Sequence, residues 1–318
     1  MIAYLLRRAV ASLVVIFGVV LLTFLLLHAI SPSPGRNVLG TRASAAAVNA
    51  FNRMNGYDRP LWEQFFSYLG QLLEGDLGTS YKLNQSVDSL LAENAARSAW
   101  LSGISLLLSV IIAVPLGIFQ AVKRNSIADQ TLTTLTFTAY SIPDNFLGII
   151  MIGVFAVSLG WFPAEATQSE SIWTYITSIH SMFLPILLLT VTTIAGYSRY
   201  MRSSALDALA QDYIRLARAK GLPERTVLRR HLLRNASLSM ITLIGLSIPA
   251  LLGGNLIAEN LFNSHGLGLL FVNELNAEDY PTVIALVLIG GVLTVVGNFV
   301  ADIALSMADP RIRIVEAR

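Results

Sequence analysis

Residues able to do chemistry are few in this chain, and their surroundings narrow what they could do. The 318 residues hold three lysines, four histidines and no cysteine. Lys82, Lys123 and Lys220 are followed by Leu83, Arg124 and Gly221, so no Gly-Lys-Ser/Thr phosphate loop is present. His28, His180, His231 and His265 show no metal-ligand spacing, and neither GxSxG nor HExxH occurs. The lack of cysteine excludes disulfides, thiolate metal sites and a thiol nucleophile. Three acids, Asp144, Glu259 and Asp302, fall inside long apolar runs. Asp144 and Asp302 lie on different helices near opposite depths, unlike an intramembrane acid pair. No catalytic residue and no metal ligand is therefore expected. Three buried charges are also thin material for a proton relay. That weighs against an ion-coupled transporter or a stand-alone channel, the alternative of a different class.

The richest polar segment is 199–237, with nine basic residues against Asp207, Asp212 and Glu224. Leu206, Leu209, Ala210, Tyr213, Ile214 and Ala217 recur at helical spacing, and Gly221 follows the last turn behind Arg218 and Lys220, a good stop signal. Pro223 and Glu224 suit the start of a second helix carrying Val227, Leu228, His231 and Leu232. This predicts a helix–turn–helix. Tethered at both ends to apolar runs, it could not easily reach a DNA groove. An apolar face paired with a basic face suits a protein partner, with some attraction to anionic lipid.

The elements that must position these residues are membrane helices. Hydrophobic residues make up 54% of the chain and charged ones 13%, where a soluble domain carries roughly 25% charge. Six runs are long enough to span a bilayer, near 9–30, 100–122, 131–159, 182–198, 238–261 and 282–308. The first run is too long for a signal-peptide core and lacks a clear cleavage pattern, so it reads as a retained helix. Pro143 and the stretch from Pro249 to Gly254 predict bends in the third and fifth runs. Sixteen basic residues fall on one side, among them Arg7, Arg8, Lys123, Arg124, Arg311, Arg313 and Arg318, while the short loops 160–181 and 262–281 hold none. Both termini are therefore expected in the cytoplasm. The organisation follows: 1–30 an N-terminus and first span, 31–99 an outside loop, 100–308 the core with the cytoplasmic loop 199–237, and 309–318 a cytoplasmic tail. Within 31–99, Leu61, Trp62, Phe65, Phe66, Leu69, Leu72 and Leu73 predict an amphipathic helix ended at Gly75. It would pack on the bundle, lie at the lipid interface or dock an outside partner.

The run Asp212 to Leu222, DYIRLARAKGL, followed by RHLLRNA at 230–236, closely resembles the EAA loop of the inner-membrane permease subunits of ABC importers. The resemblance is to the dipeptide/oligopeptide permeases, in their B-type subunit. It extends to MIAYLLRR at 1–8, to 56–81, to Ser141-Ile142-Pro143, Glu259, Phe262, HGLG at 265–268, Asp279-Tyr280-Pro281, Asn298, Asp302 and DPRIR at 309–313, covering essentially the whole chain. Two departures stand out. Arg215 occupies the position of the signature glutamate, as in the peptide branch, and His265 stands where a proline is common.

The resemblance implies an all-α, type I ABC importer-like fold of six transmembrane helices in a bacterial inner membrane. It implies a heterodimer with a second permease subunit, one or two cytoplasmic P-loop ATPases holding ATP and Mg, and an outside binding protein delivering a peptide. No nucleic acid and no cofactor of its own are expected. ATPase coupling would fall to Asp212, Tyr213, Arg215, Ala217, Arg218, Ala219, Lys220, Gly221 and Arg230. An outside gate or binding-protein contact would fall to Glu259, His265, Gly266, Gly268 and Asp279. Polar groups at depth should face a pathway rather than lipid, which makes Asp144, Asn145, Asn255, Asn298 and Asp302 the lining candidates, unless each caps or tethers a helix locally. Relatives of this architecture also carry nickel chelates, haem or other small solutes, which is the alternative within the class.

Overall fold

The computed structural model describes residues 2–30, 34–40, 42–169, 171–247, 251 and 253–308, with the side chains at 2–9, 30, 34, 37, 239 and 301–308 left out. In chain order its principal helices are α1 (Ile2–Ile30), α2 (Leu61–Glu74), α3 (Val87–Val122), α4 (Ile127–Ser141) and α5 (Asp144–Met151, continued by a π-helical stretch to Ser158). Then come α6 (Ile179–Leu209), α7 (Asp212–Ala219), α8 (Leu233–Leu246), α9 (Leu256–Leu261), α10 (Leu267–Asn276) and α11 (Tyr280–Ala308). Among the described residues the only β pairing is one bridge, Thr79 with Ser86.

Among the described residues four stretches are long and apolar enough to cross a bilayer: Val10–Ala29, Val87–Val122, Ile179–Leu209 and Tyr280–Val300. α4 and α5 make a fifth if taken as one broken span, bent by 103°. The bend follows from Pro143, which drives Ile142 out of the helical region to φ −81°, ψ 126°. The fifth expected run, 238–261, includes 248–250 and 252, which lie outside the described residues; α8 and α9 stand on either side. Two helices run past their expected spans. The one carrying the second begins at Val87, and its 36 residues reach about 54 Å at 1.5 Å each, well beyond the apolar layer. The fourth continues unbroken to Leu209, so 199–209 belongs to the spanning helix and not to the helix–turn–helix.

The contacts divide the chain into two compact units. One comprises Met1–Ser98, Leu252–Asn260 and His265–Val295; the other comprises Ala99–Leu251, Leu261–Ser264 and Val296–Arg318. In the first, Val20, Phe24 and Leu27 on one face of α1 pack with Phe65 of α2 and with Tyr280, Val283 and Ile284 of α11. The Tyr280 hydroxyl donates to the Leu27 carbonyl at 2.8 Å. A second cluster joins Val87, Leu90 and Leu91 of α3 to Leu267 and Leu270 of α10 and Ala285 and Leu286 of α11.

In the second unit small residues let backbones approach, as membrane packing favours. A Cβ on Gly117 of α3 would lie 2.7 Å from the Met201 Cβ and the Ser198 carbonyl of α6. Ser109 of α3 donates to the Thr190 carbonyl at 3.2 Å, and Tyr197 of α6 to the Leu243 carbonyl of α8 at 3.1 Å. Asp129 of α4 receives both Nε and Nη2 of Arg202 of α6, each at 2.9 Å. Ser126 caps α4 by accepting the Asp129 N–H. Arg199 lies over the Tyr140 ring at 4.7 Å. Two of the nine basic residues of 199–237 thus serve the bundle itself.

Candidate functional site

The EAA-like segment folds as α7 between two turns. Gln211 opens it at φ −75°, ψ 149°, and Lys220 closes it. Gly221 follows at φ +75°, a left-handed conformation that side chains strain. The Leu222 N–H reaches the Ala217 carbonyl at 3.3 Å, the outer bond of a Schellman-type end. Ile214 and Ala217 are buried on the α6 side chains Met201, Ala205 and Ala208, together with Val227, Leu232, Ala236 and Met240. The chain returns through Glu224–Thr226 and a π-helical stretch, Val227–Leu232. Its wider turn brings Val227 and Leu232, five residues apart, into the same core.

What remains outside is a mixed surface. Asp212, Arg215, Arg218, Ala219, Lys220, Gly221 and Arg230 are exposed, Tyr213 is half-buried, and Ala217 is interior. Ala217 therefore acts as a seat for the helix and not as a contact. Leu216 and Leu222 are exposed apolar side chains among these charges. The sequence pattern does not mark them for coupling; their position on the outer face is set by which neighbours α6 and α8 cover. Arg218 pairs with Glu224 at 2.7 Å and Arg215 with Asp212 at 3.4 Å.

A second constellation forms around Glu259, whose side chain is fully buried. Its Oε1 accepts the Ser98 hydroxyl at 2.8 Å and the Asn255 N–H at 2.9 Å. Its Oε2 accepts the Gly268 N–H at 2.7 Å and the Leu269 N–H at 3.3 Å. Ser98 in turn accepts the Leu267 N–H at 2.8 Å. The carboxylate thus satisfies the first free N–H groups of α10 and sits at the positive end of that helix. Gly266 and Gly268 permit the approach: a Cβ on Gly266 would lie 2.6 Å from the Glu259 Cδ, and one on Gly268 would lie 2.9 Å from the backbone of Asn255 and Leu256.

Asp279 is likewise interior. It accepts the Ser80 hydroxyl, the Tyr81 N–H at 3.3 Å and the Thr282 hydroxyl at 3.1 Å. Beside it Glu274 is buried, and its carboxyl is pushed up to about 6, first by burial and further by Asp279, with Lys82 opposing. Glu259, Gly268 and Asp279, expected at an outside gate or binding-protein contact, are thus interior in this structure. These groups face inward and hold loops in place, because a carboxylate ringed by backbone donors has no free valence for a visiting protein. Gly266 is buried with them, and His265 is half-buried.

Of the lining candidates, Asn255 joins the Glu259 cluster and caps α9, accepting the Ala258 N–H at 2.9 Å. Asp144 is half-buried at the start of α5, Asn145 is exposed and Asn298 is half-buried. The Asp302 side chain lies outside the described residues, as does 309–313. Sequence reasoning misses Ser98, Asp129, Arg202 and Glu274. Only Asp129 carries a sequence signal, the capping pattern of Ser126 three residues before it.

Several apolar helices long enough to cross a bilayer, with one short, basic, amphipathic helix seated on the end of such a helix, define the class as a polytopic membrane protein. Residues 113–314 match the family described as binding-protein-dependent transport system inner membrane component, and residues 1–93 match its N-terminal counterpart. The chain belongs to this family and is a permease subunit of an ABC importer. It is 37% identical over 314 residues to the oligopeptide transport system permease protein AppB of Bacillus subtilis, covering 98% of this chain and 99% of that one. It is 34% identical over 313 residues to the glutathione transport system permease protein GsiC of Escherichia coli K12, covering 98% and 99%. Its fold is shared with a chain from the inward-facing MetNI methionine ABC transporter, with a TM-score of 0.57, 18% identity, and 69% of this chain and 96% of that one covered.

Proposed function

We propose that this chain forms half of the pathway of a di- or oligopeptide importer, and that α7 is the helix through which an ATPase drives it. The peptide reading is supported by relatives that match nearly the full chain and are named for oligopeptide and glutathione transport. The observation that carries the coupling role is the α7 surface. Leu216 and Leu222 stand exposed among Arg215, Arg218 and Lys220, while Ile214 and Ala217 fix the helix to α6. Apolar anchors with charge-assisted donors suit a protein groove. Motion of a docked ATPase would pass through the α6–α8 core, which has little void to absorb it.

In this reading the chain is a non-catalytic transport subunit. ATP and Mg belong to one or two partner ATPases, since the sequence carries no phosphate loop. A second permease subunit completes the pathway, an outside binding protein delivers the substrate, and both termini and α7 face the cytoplasm. Asp144, Asn145 and Asn298 are the polar groups left to line the pathway, with Asp302 on the same helix as Asn298.

The test is a mild-detergent purification of the tagged chain from its native membrane, with mass spectrometry of the retained proteins. A homologous permease and P-loop ATPases are expected. The chain alone, still transporting, would overturn the reading. Uptake of a labelled dipeptide, competed by unlabelled oligopeptide or glutathione, then separates peptide import from import of another solute.

A further inference from the structure

α2 carries more apolar surface than its packing uses. Phe65 is buried against α1, and Tyr68 and Leu69 pack into the same cluster. Glu63, Ser67, Gly70 and Glu74 occupy the opposite side of the helix, with Gln64 and Gln71 on its flank. Between these sectors, Trp62, Phe66 and Leu73 project with exposures of 64%, 60% and 86%. With Leu69 they recur at the spacing i, i+4, i+7, i+11, one continuous stripe.

The location of that stripe is fixed by α1. Gln64 meets the His28 ring at 3.1 Å, and the Phe65 ring meets those of Phe24 and Phe17 edge-on at 5.3 and 5.7 Å. His28 stands at the end of the apolar stretch Val10–Ala29 and Phe17 near its middle. Eleven residues of helix separate them, about 16 Å of rise, roughly half of a 30 Å hydrocarbon layer. The start of α2 therefore lies beside the terminal part of a membrane span, not far out in water. Phe17 is itself half-exposed on the apolar surface of α1, and the rings run on from Phe17 to Phe65 to Phe66, the last pair 5.7 Å apart. The exposed stripe thus continues the surface by which α1 meets lipid.

We propose that α2 is a lipid-seated helix, with Trp62, Phe66 and Leu73 in the headgroup–acyl boundary of the leaflet from which α1 emerges. A tryptophan with an apolar body and a single N–H donor suits that boundary, as does a helix with one apolar and one polar face. α2 has two acids and no basic residue, so its seating depends on apolar contact and not on anionic headgroups. By pinning α2, the bilayer would hold the turn at 75–86 and, through it, Ser80 and Asp279. The inference rests on the chain's place in the membrane and not on its substrate.

The chain lacks cysteine, which allows a direct test. Single cysteines at 62, 63, 66, 67, 70, 73 and 74 of the full chain are labelled with a nitroxide. The protein, with the subunits it retains, is then placed in nanodiscs of zwitterionic lipid. Collision rates with oxygen, which concentrates in lipid, and with a water-soluble nickel chelate are compared. The oxygen-to-nickel ratio is expected to be severalfold higher at 62, 66 and 73 than at 63, 67, 70 and 74, and unchanged when anionic lipid is added. Nickel access all round the helix would place the stripe in water and overturn the proposal. Low access to both reagents at 62, 66 and 73 would show a protein covering it, and would also overturn it. Should a Trp62 variant not fold, the Phe66 and Ser67 labels alone decide the question, since they point about 100° apart, one along the stripe and one into the polar sector.

Discussion

Arg218 reaches across the Gly221 turn to Glu224, Nη2 to Oε1 at 2.7 Å and Nε to Oε2 at 3.2 Å. The pair joins the end of α7 to the segment that follows it. Both side chains are about half exposed, so their attraction adds little to stability, between 0 and about 1 kcal/mol. Its consequence is orientation: the bidentate grip fixes the guanidinium at the Gly221 turn, on the face proposed to meet the ATPase.

A charge reversal separates these roles. Arg218→Glu should weaken retention of the ATPase in a pull-down while leaving expression and thermal stability near the parent. If the pair serves only the turn, Arg218→Glu with Glu224→Arg restores retention. The expectation here is that it does not, because the arginine would then stand on the wrong side of the turn.

Gly221→Val should impair transport through backbone strain. No atom lies within 4 Å of a Cβ built there, but φ is +75°, a conformation that costs a side-chain-bearing residue about 1–2 kcal/mol. Reconstituted with its partners, the variant should show reduced uptake and ATP hydrolysis that no longer responds to substrate. Gly221→Asn, which tolerates this conformation, should retain most uptake. Equal uptake by the valine variant would remove the turn from the coupling path.

Gly268→Ala should fail to fold stably, since its Cβ would sit 2.9 Å from the backbone at 255–256 and no flexible side chain is there to yield. Glu259→Gln is milder. It keeps the shape but turns an NH2 group toward N–H donors, at about 1–3 kcal/mol. Thermal unfolding in detergent should rank them parent, glutamine, alanine. A glutamine variant as stable as the parent would show that the clamp needs no charge.

Removing one member of the Asp129–Arg202 pair should cost more than removing both. Asp129 is 3% exposed and Arg202 27%, and a buried partner left alone costs about 3–5 kcal/mol. Arg202→Met, which leaves Asp129 buried and unpaired, is expected to lower the unfolding temperature further than Asp129→Leu with Arg202→Met. The reverse order would mean that the attraction itself, and not the avoidance of an orphan charge, holds α4 to α6.

Glu274 sets a pH dependence. Its carboxyl, ordinarily near 4.5, is raised to about 6 by burial and by Asp279. The fold thus favours the protonated form, and the stabilisation is full below about 4.5 and lost as pH rises through 6. Unfolding temperature should fall between pH 5 and 7 in the parent. Glu274→Gln should flatten that slope and raise stability at pH 7 by on the order of 1 kcal/mol. Lys82, the opposing charge, should steepen the slope when changed to methionine. A parent with no slope in this range would place the titration elsewhere.

Much of α7 and the turn that follows it is legible in the order of their residues. The apolar positions Ile214 and Ala217, the stop at Gly221 and the restart at Pro223 each follow from local rules of helix periodicity and termination. Where α6 ends is not legible, because Arg199 and Arg202 look like loop charges until Tyr140 and Asp129 are seen to receive them. The same holds at Ser98. Nothing nearby in sequence marks a serine on an apolar helix as a bridge to Glu259 and Leu267, which lie more than 160 positions away.

The sequence by itself determined that the chain is a helical membrane protein with no cysteine and no phosphate-loop motif, and where its exposed basic helix lies. Those properties are local: apolar length, charge placement, and glycine or proline at a turn act through neighbours within a few residues. Tertiary structure alone decided that Glu259 and Asp279 look inward, that Leu216 and Leu222 look outward, and that Trp62 and Phe66 remain uncovered. Burial is a property of what another segment does or does not cover, and an acid in an apolar run reads the same whether it faces a partner, a pathway or the N–H groups of a helix brought from elsewhere in the chain.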